Sequence, residues 1–164
     1  MPNWCQNTLK IEGDIATLAC FKEKAKHTHD YEDKKVEVDF ALASFLPMPK
    51  ELVGTTSPCA PNPRLLKKYG ASNWYDWNCK HYGTKWDVEG ALICLGKGKL
   101  GYTFDSAWAP PAEGILRISK KYPQLTFTLE YDEPGMDFSG VVVVKGGKVL
   151  RDQSGKSLIN QEDM

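Results

Sequence analysis

Seven consecutive residues in the middle of the chain carry the side chains best suited to chemistry. His81 and Asp87 stand at the two ends of this stretch, with Lys85 and Trp86 between them. A histidine with a carboxylate partner is the minimum for general acid–base catalysis. Other motifs that lie at or near predicted strand ends supply further carboxylates and an indole. The candidate site therefore consists of His81, Lys85, Trp86, Asp87, Asp105, Trp108 and Glu133.

The same residues also fit a structural role. His81 falls in the last turn of a predicted helix, where the helix dipole favours the protonated imidazole. A protonated histidine suits anion binding or a structural hydrogen bond at least as well as it suits a catalytic base. The structural interpretation is that His81 and Asp87 join the helical part of the chain to a sheet, and the pattern favours this interpretation.

Motifs for metals and cofactors are weak. His27-Thr28-His29-Asp30 places ligand types at alternate positions, but no third partner is evident, so a solvated loop is expected. The five cysteines include no Cys-x-x-Cys pair. The glycines at 96, 98 and 101 join two predicted strands, whereas a dinucleotide-binding loop joins a strand to a helix. No metal site and no cofactor are expected.

Length and charge restrict the possible classes of protein. The chain has 164 residues, which fits one domain, and it carries 21 basic and 21 acidic residues. A net charge of zero removes the usual argument for nucleic-acid binding, which is a basic excess. An open sheet face with exposed aromatic residues remains an alternative route to nucleic acid. The aromatic residues available on predicted strands are Trp86, Tyr102, Trp108 and Tyr131.

The chain contains no apolar run long enough to cross a bilayer. Its first residues have neither the charged start nor the apolar centre of a signal peptide. We therefore expect no membrane association and a location in the cytosol.

Periodicity predicts an α+β fold. Alternating patterns predict strands at 5–12, 36–42, 86–94, 100–108 and 125–131, and a hairpin at 138–144 and 148–150. Helical patterns follow Asp14 and Pro111 and occupy 64–69 and 73–82, whereas 27–33 is predicted to be a loop. Strand–helix–strand occurs twice, which is the ferredoxin-like pattern. We predict one ferredoxin-like domain at 1–151 with a helical insertion at 47–85 after the second strand, an extra C-terminal β-hairpin, and a frayed tail at 152–164.

Four motifs resemble one known family. They are Met1-Pro2-Asn3-Trp4-Cys5-Gln6-Asn7, His81-Tyr82-Gly83-Thr84-Lys85-Trp86-Asp87, the run from Phe104 to Pro111, and the run from Tyr131 to Gly140. Together they are similar to the YubB-like proteins of phages and plasmids. The resemblance implies a ferredoxin-like fold and an origin on a mobile genetic element. It implies no activity, so no catalytic residue can be carried over. Ala109 departs from the pattern, because a serine is expected there to cap the next helix.

Three functions are consistent with the sequence. The first is a non-enzymatic binding protein that acts on a host protein, such as a defence or replication component. The second is a nucleic-acid-binding module that uses the face of the sheet. The third is an enzyme centred on His81. The oligomeric state does not follow from the sequence.

Overall fold

The computed structural model of the protein describes residues 2–93 and 95–162. It contains eight strands: β1 Trp4–Glu12, β2 His27–Tyr31, β3 Lys34–Val38, β4 Ala91–Ile93, β5 Lys99–Ala107, β6 Thr126–Glu133, β7 Phe138–Lys145 and β8 Lys148–Gly155. Six of them form one sheet in the order β4-β5-β1-β6-β7-β8, and every neighbouring pair is antiparallel. Strands β2 and β3 form a separate hairpin.

The helices are α1 Ile15–Ala25, α2 Pro63–Tyr69, α3 Trp74–His81, α4 Ala112–Lys121 and α5 Leu158–Glu162, with short 3₁₀ turns at Leu42–Ser44 and Lys50–Leu52. Local capping explains where several of them begin. The side chain of Asp14 accepts the Thr17 N–H at the start of α1, and Asn62 caps α2 ahead of Pro63. Asn73 caps α3 through the Asp76 N–H.

The core lies between the helices and one face of the sheet. Alternate residues of β1, including Leu9 and Ile11, are fully buried, as are Ile115 and Ile118 of α4. Phe21 of α1 lies among the core aromatics, with its ring centroid 4.7 Å from that of Phe45. Burial of side chains this large supplies most of the driving force for folding.

Strand order confirms the predicted ferredoxin-like arrangement at the level of fold class. The units β1–α1–β4 and β5–α4–β6 each run strand, helix, strand, and their strands are neighbours in space in the order β4-β5-β1-β6. Strands β7 and β8 extend the sheet beyond β6, as expected for an extra C-terminal hairpin.

The predicted second strand is wrong in its bounds and in its partner. Residues 36–42 were expected to join the main sheet, and 27–33 were expected to be a loop. Instead β2 and β3 pair with each other through a two-residue turn at Glu32 and Asp33, both of which have positive φ. Val36 and Val38 are therefore only partly buried, and the segment enters the core only from Phe40 onward, where Phe40, Ala41 and Leu42 are buried.

The second strand of the ferredoxin-like core is β4, which has three residues. The predicted strand at 86–94 is thus mostly loop, and its last residue, Cys94, lies outside the described residues. Helices α2 and α3 of the predicted insertion precede β4. The predicted place of the insertion, after the second strand of the ferredoxin-like core, is therefore also wrong. Asp87 explains part of the loop, because its side chain accepts the Val88 N–H of this segment and the Leu42 and Ala43 N–H groups of the 3₁₀ turn at Leu42–Ser44.

The C-terminal segment differs from the predicted frayed tail. Strand β8 continues to Gly155 and α5 follows it. Ser157 is fully buried, and its hydroxyl donates to Asp132 on β6. A polar sequence is held here by side-chain hydrogen bonds, which hydrophobic periodicity does not reveal. Residues 163–164 lie outside the described part of the chain.

Candidate functional site

The face of the main sheet opposite the core forms a groove of about 1050 Å³. Because side chains alternate along a strand, every second residue of five adjacent strands points to this face. Residues that line the groove include Gln6 and Thr8 of β1, Thr103 and Asp105 of β5, Glu130 and Asp132 of β6, Ser139 and Val141 of β7, and Arg151 and Gln153 of β8. Leu158 of α5 lies at its rim.

The groove is acidic. Its lining contains four carboxylates, those of Glu89, Asp105, Glu130 and Asp132, and one cationic side chain, that of Arg151. Three of the carboxylates already have partners, and that of Glu89 lies 3.1 Å from His29 Nε2. Glu130 accepts from Lys10 at 3.1 Å, and Asp132 accepts from Ser157 and the Leu158 N–H.

A second depression of about 390 Å³ lies at the β5 end of the groove. It is lined by Trp4, Trp86, Asp87, Glu89 and Asp105, so it shares Glu89 and Asp105 with the groove. We call it the tryptophan pocket. The ring centroids of Trp4 and Trp86 are 6.1 Å apart, and the two indoles are 45% and 39% exposed. Exposure of two neighbouring indoles is a feature of interaction sites.

Contacts of Lys85 and Asp87 hold the Trp86 side of the tryptophan pocket in place. The Lys85 ammonium lies 4.6 Å from the centroid of the Trp86 ring, within the range of a cation–π contact. The Asp87 carboxylate accepts the N–H groups of Leu42, Ala43 and Val88 at 2.7–3.1 Å. Burial raises the pKa of the Asp87 carboxyl, and the hydrogen bonds oppose that effect. Asp87 therefore fastens the loop that presents Trp86.

His81 lies apart from both cavities. Its ring stacks on Trp77 with centroids 4.2 Å apart, and its Nδ1 is 3.0 Å from the Trp77 carbonyl oxygen. Burial is the main cause that lowers the pKa of His81, which disfavours the protonated form that its helix position suggested. His81 lines neither cavity, so the predicted convergence of His81 with Asp105 and Glu133 is not present.

Glu133 and Trp108 occupy different positions again. Glu133 is fully buried; its Oε1 accepts the Gly135 N–H at 2.9 Å, and its Oε2 has no partner among the described residues. Trp108 follows β5 with a φ of 70°, and the residue is 47% exposed. Its backbone N–H donates to the Asn3 carbonyl. Burial raises the pKa of the nearby Cys5 thiol to about 12, which leaves this thiol a poor nucleophile.

The aromatic platform that would suit nucleic acid is incomplete. Tyr102 is fully buried in the core, and Trp86 lies in a loop before β4. Of the predicted site residues, the structure brings together only Lys85, Trp86, Asp87 and Asp105. Trp4, Glu89 and Glu130 are additional candidates that were not among the predicted site residues. Trp4 shares the alternation of Gln6 and Thr8, and this parity was a usable signal.

The histidines of β2 approach the tryptophan pocket. His29 Nε2 is 3.1 Å from a carboxylate oxygen of Glu89. Within residues 2–93 and 95–162, no three His, Cys, Asp or Glu side chains are arranged to hold a metal ion. In the same part of the chain, no helix combines the length and apolar character needed to cross a membrane.

The fold and the groove define a ferredoxin-like α+β domain with an accessible sheet face. Residues 81–163 match the family model described as the ferredoxin-like domain in Api92-like protein, and the chain belongs to this family. The crystal structure of protein Api92 from Yersinia pseudotuberculosis is similar, with a TM-score of 0.59 and 12% sequence identity over 95% of this chain and 98% of that one. At this identity the likeness concerns the fold alone. No curated protein matches the sequence.

Proposed function

We propose that this protein is a non-enzymatic binding protein that holds a basic, extended segment of another polypeptide in its groove. The observation that carries the proposal is the charge of the groove, whose lining holds four carboxylates and one arginine, although Lys10 pairs with Glu130 and His29 lies against Glu89. Complementary charge favours a cationic partner and increases its rate of association.

The sheet edges are less suited to binding than the face. At one edge, the Leu92 N–H of β4 already donates to the Asp39 carboxylate at 2.8 Å. At the other edge, the register between β7 and β8 shifts at Val143 and Val144, and bulges of this kind protect edge strands from pairing. The open face is therefore the better surface for a peptide.

The width of the groove sets the length of the segment. From β5 to β8 the sheet crosses four strand spacings, which amount to about 19 Å. An extended chain covers this width with about six residues. A short linear segment of a partner fits the groove without any rearrangement of the sheet.

The two alternative functions have less support. The groove would repel the phosphates of a nucleic acid, because carboxylates outnumber cations in its lining. An enzyme centred on His81 would need that imidazole in a cavity beside a second reactive group, and its Nδ1 is instead engaged by the Trp77 carbonyl.

The resemblance to YubB-like proteins bears on the identity of the partner. An origin on a phage or plasmid would make a host protein the expected partner, with a component of a defence system as one candidate. The binding event is then proposed to occur in the cytosol.

The test uses labelled peptides and fluorescence anisotropy with the full chain. Hexa-arginine is expected to bind, and hexa-glutamate and a short oligothymidylate are not. Glu130→Lys replaces an attraction with a repulsion in the groove. At roughly 0.2–1 kcal/mol per exposed charge pair, two such effects weaken hexa-arginine binding about 2- to 30-fold.

The matched control is Glu23→Lys, which makes the same change of charge on α1, on the core side of the sheet. It is expected to leave binding nearly unchanged. Equal weakening by the two variants would show attraction to overall charge and would refute the groove as the site. Tighter binding of oligothymidylate than of hexa-arginine would favour the nucleic-acid alternative.

A further inference from the structure

The tryptophan pocket has properties that the general charge of the groove does not explain. Its two indoles remain 45% and 39% exposed although they contact each other. Large aromatic side chains normally bury most of their surface, so an exposed pair at the end of a groove indicates a place for a flat ligand group.

The two indoles are not equivalent. The Lys85 ammonium lies over the Trp86 ring, 4.6 Å from its centroid. The same ammonium is 6.0 Å from the centroid of the Tyr75 ring. Trp4 has no such cation among the described residues. Trp4 is therefore the indole that is free to stack with a group of the ligand.

Asp105 lies next to Trp4 on the same face. Trp4 pairs with Ala107 across β1 and β5, and Gln6 pairs with Asp105, so Asp105 is the diagonal neighbour of Trp4. The side chain of Asp105 is exposed, and no hydrogen bond or ion pair to it occurs among the described residues. The other acids of the pocket are engaged, Asp87 by backbone N–H groups and Glu89 by His29.

We infer that the tryptophan pocket binds the guanidinium of an arginine side chain, which stacks on Trp4 and pairs with Asp105. This inference rests on the proposed function and names the side chain that anchors the basic segment. A guanidinium is planar, so it can stack on an indole and present two parallel N–H groups to one carboxylate at the same time. An ammonium can make only one of these contacts with good geometry.

The test is a titration with acetyl-arginine-amide, followed by the NMR signals of the indole Nε1–H groups. The Trp4 and Trp86 signals are assigned with the Trp4→Phe and Trp86→Phe variants. Acetyl-arginine-amide is expected to shift the Trp4 signal in a saturable way. Acetyl-lysine-amide is expected to bind about threefold more weakly or worse, and the neutral acetyl-citrulline-amide is expected to have no effect.

Two variants separate the pocket from the rest of the surface. Asp105→Asn keeps the shape of the side chain and removes its charge, so it is expected to weaken arginine binding at least about threefold. Trp74→Phe changes an indole of α3 outside the pocket and is expected to leave binding unchanged. A Trp4 signal that responds equally to citrulline, that ignores Asp105→Asn, or that does not move up to the solubility limit of the arginine amide overturns the inference.

The inference about the tryptophan pocket and the proposal about the groove can be refuted separately. If hexa-arginine binds the chain and responds to Glu130→Lys while the Trp4 signal stays still, only the arginine pocket is refuted. If acetyl-arginine-amide moves the Trp4 signal but Glu130→Lys leaves hexa-arginine binding unchanged, the pocket stands and the groove as a peptide site fails.

Discussion

Ser157→Ala should release α5 from the sheet. The Ser157 hydroxyl donates to Asp132 Oδ1 at 2.5 Å, and the Leu158 N–H donates to the other oxygen of the same carboxylate at 2.8 Å. Ser157 is fully buried, so water cannot replace the hydroxyl without a change in packing. Alanine removes the first bond, and with it the longer contact in which the same hydroxyl accepts the Asn160 N–H at 3.5 Å, and leaves the second bond in place.

The size of the effect follows from the charge of the acceptor. A hydrogen bond to a charged group stabilises the folded state by about 1.5–3 kcal/mol. Since about 1.4 kcal/mol corresponds to a factor of ten, the population of the state with α5 detached should rise about 10- to 150-fold. The rest of the sheet does not depend on this bond, so the global free energy of unfolding should fall by less than the local value.

Amide hydrogen exchange measured by NMR separates the local effect from the global one. In Ser157→Ala, the amide of Leu158 should lose protection by the stated factor, while amides of β1 and β6 should change little. Ser154→Ala is the matched control, because Ser154 is exposed and its side chain makes no hydrogen bond within the described residues. Unchanged exchange at Leu158, or an equal loss in the control, would refute the assignment of Ser157 and Asp132 as the anchor of α5.

Two further predictions separate structural carboxylates from free ones. Asp87→Ala should lower the free energy of unfolding by about 1–3 kcal/mol, because backbone N–H groups lose their acceptor. Asp105→Asn should change the free energy of unfolding by no more than about 0.5 kcal/mol. Urea unfolding that ranks the two variants in the opposite order would contradict these roles. Hydrogen bonds from Lys68 and Arg64 lower the pKa of Glu51 from 4.5 to about 2. Its contribution to stability should therefore be complete above pH 4.5 and lost as the pH falls towards 2. A carboxyl NMR titration of Glu51 with an ordinary midpoint would contradict this expectation.

The elements that the sequence predicted correctly are those with strong local signals. In strand β6 the inward positions Phe127, Leu129 and Glu133 are buried and Tyr131 is partly buried, and they alternate with partly or fully exposed residues. Helix α1 follows its N-cap Asp14, as predicted, and α2 follows its N-cap Asn62 and begins at Pro63, one residue before the predicted start of the helix at 64. For α3 the cap is Asn73, so the helix begins at Trp74, one residue later than the predicted start at 73.

The elements that were missed depend on contacts between distant parts of the chain. Strand β2 is polar and pairs only with β3, so neither apolar alternation nor burial distinguishes it from a loop. Strand β4 has three residues and is held by β5 and the Asp39 carboxylate. Helix α5 depends on Asp132, which is 25 residues from Ser157 in sequence.

The candidate site was predicted in part for the same reason. The motifs included Lys85, Trp86, Asp87 and Asp105, which the structure places close together, but the sequence alone could not tell which side chains form hydrogen bonds with the backbone. Asp87 and Thr84 turned out to hold loops in place, since Asp87 bonds three N–H groups and Thr84 donates to the Ala107 carbonyl at 2.7 Å. The register of β1 against β5 is what places Trp4 beside Asp105.

This division of roles offers a physical criterion for where binding occurs. A polar or aromatic side chain with buried internal partners is already accounted for by the stability of the fold. Trp4 and Asp105 are exposed next to each other without such partners, on a face that is already acidic. Since the fold does not require an indole or a carboxylate at these two positions, a ligand that uses both is the simplest reason for them to stand side by side.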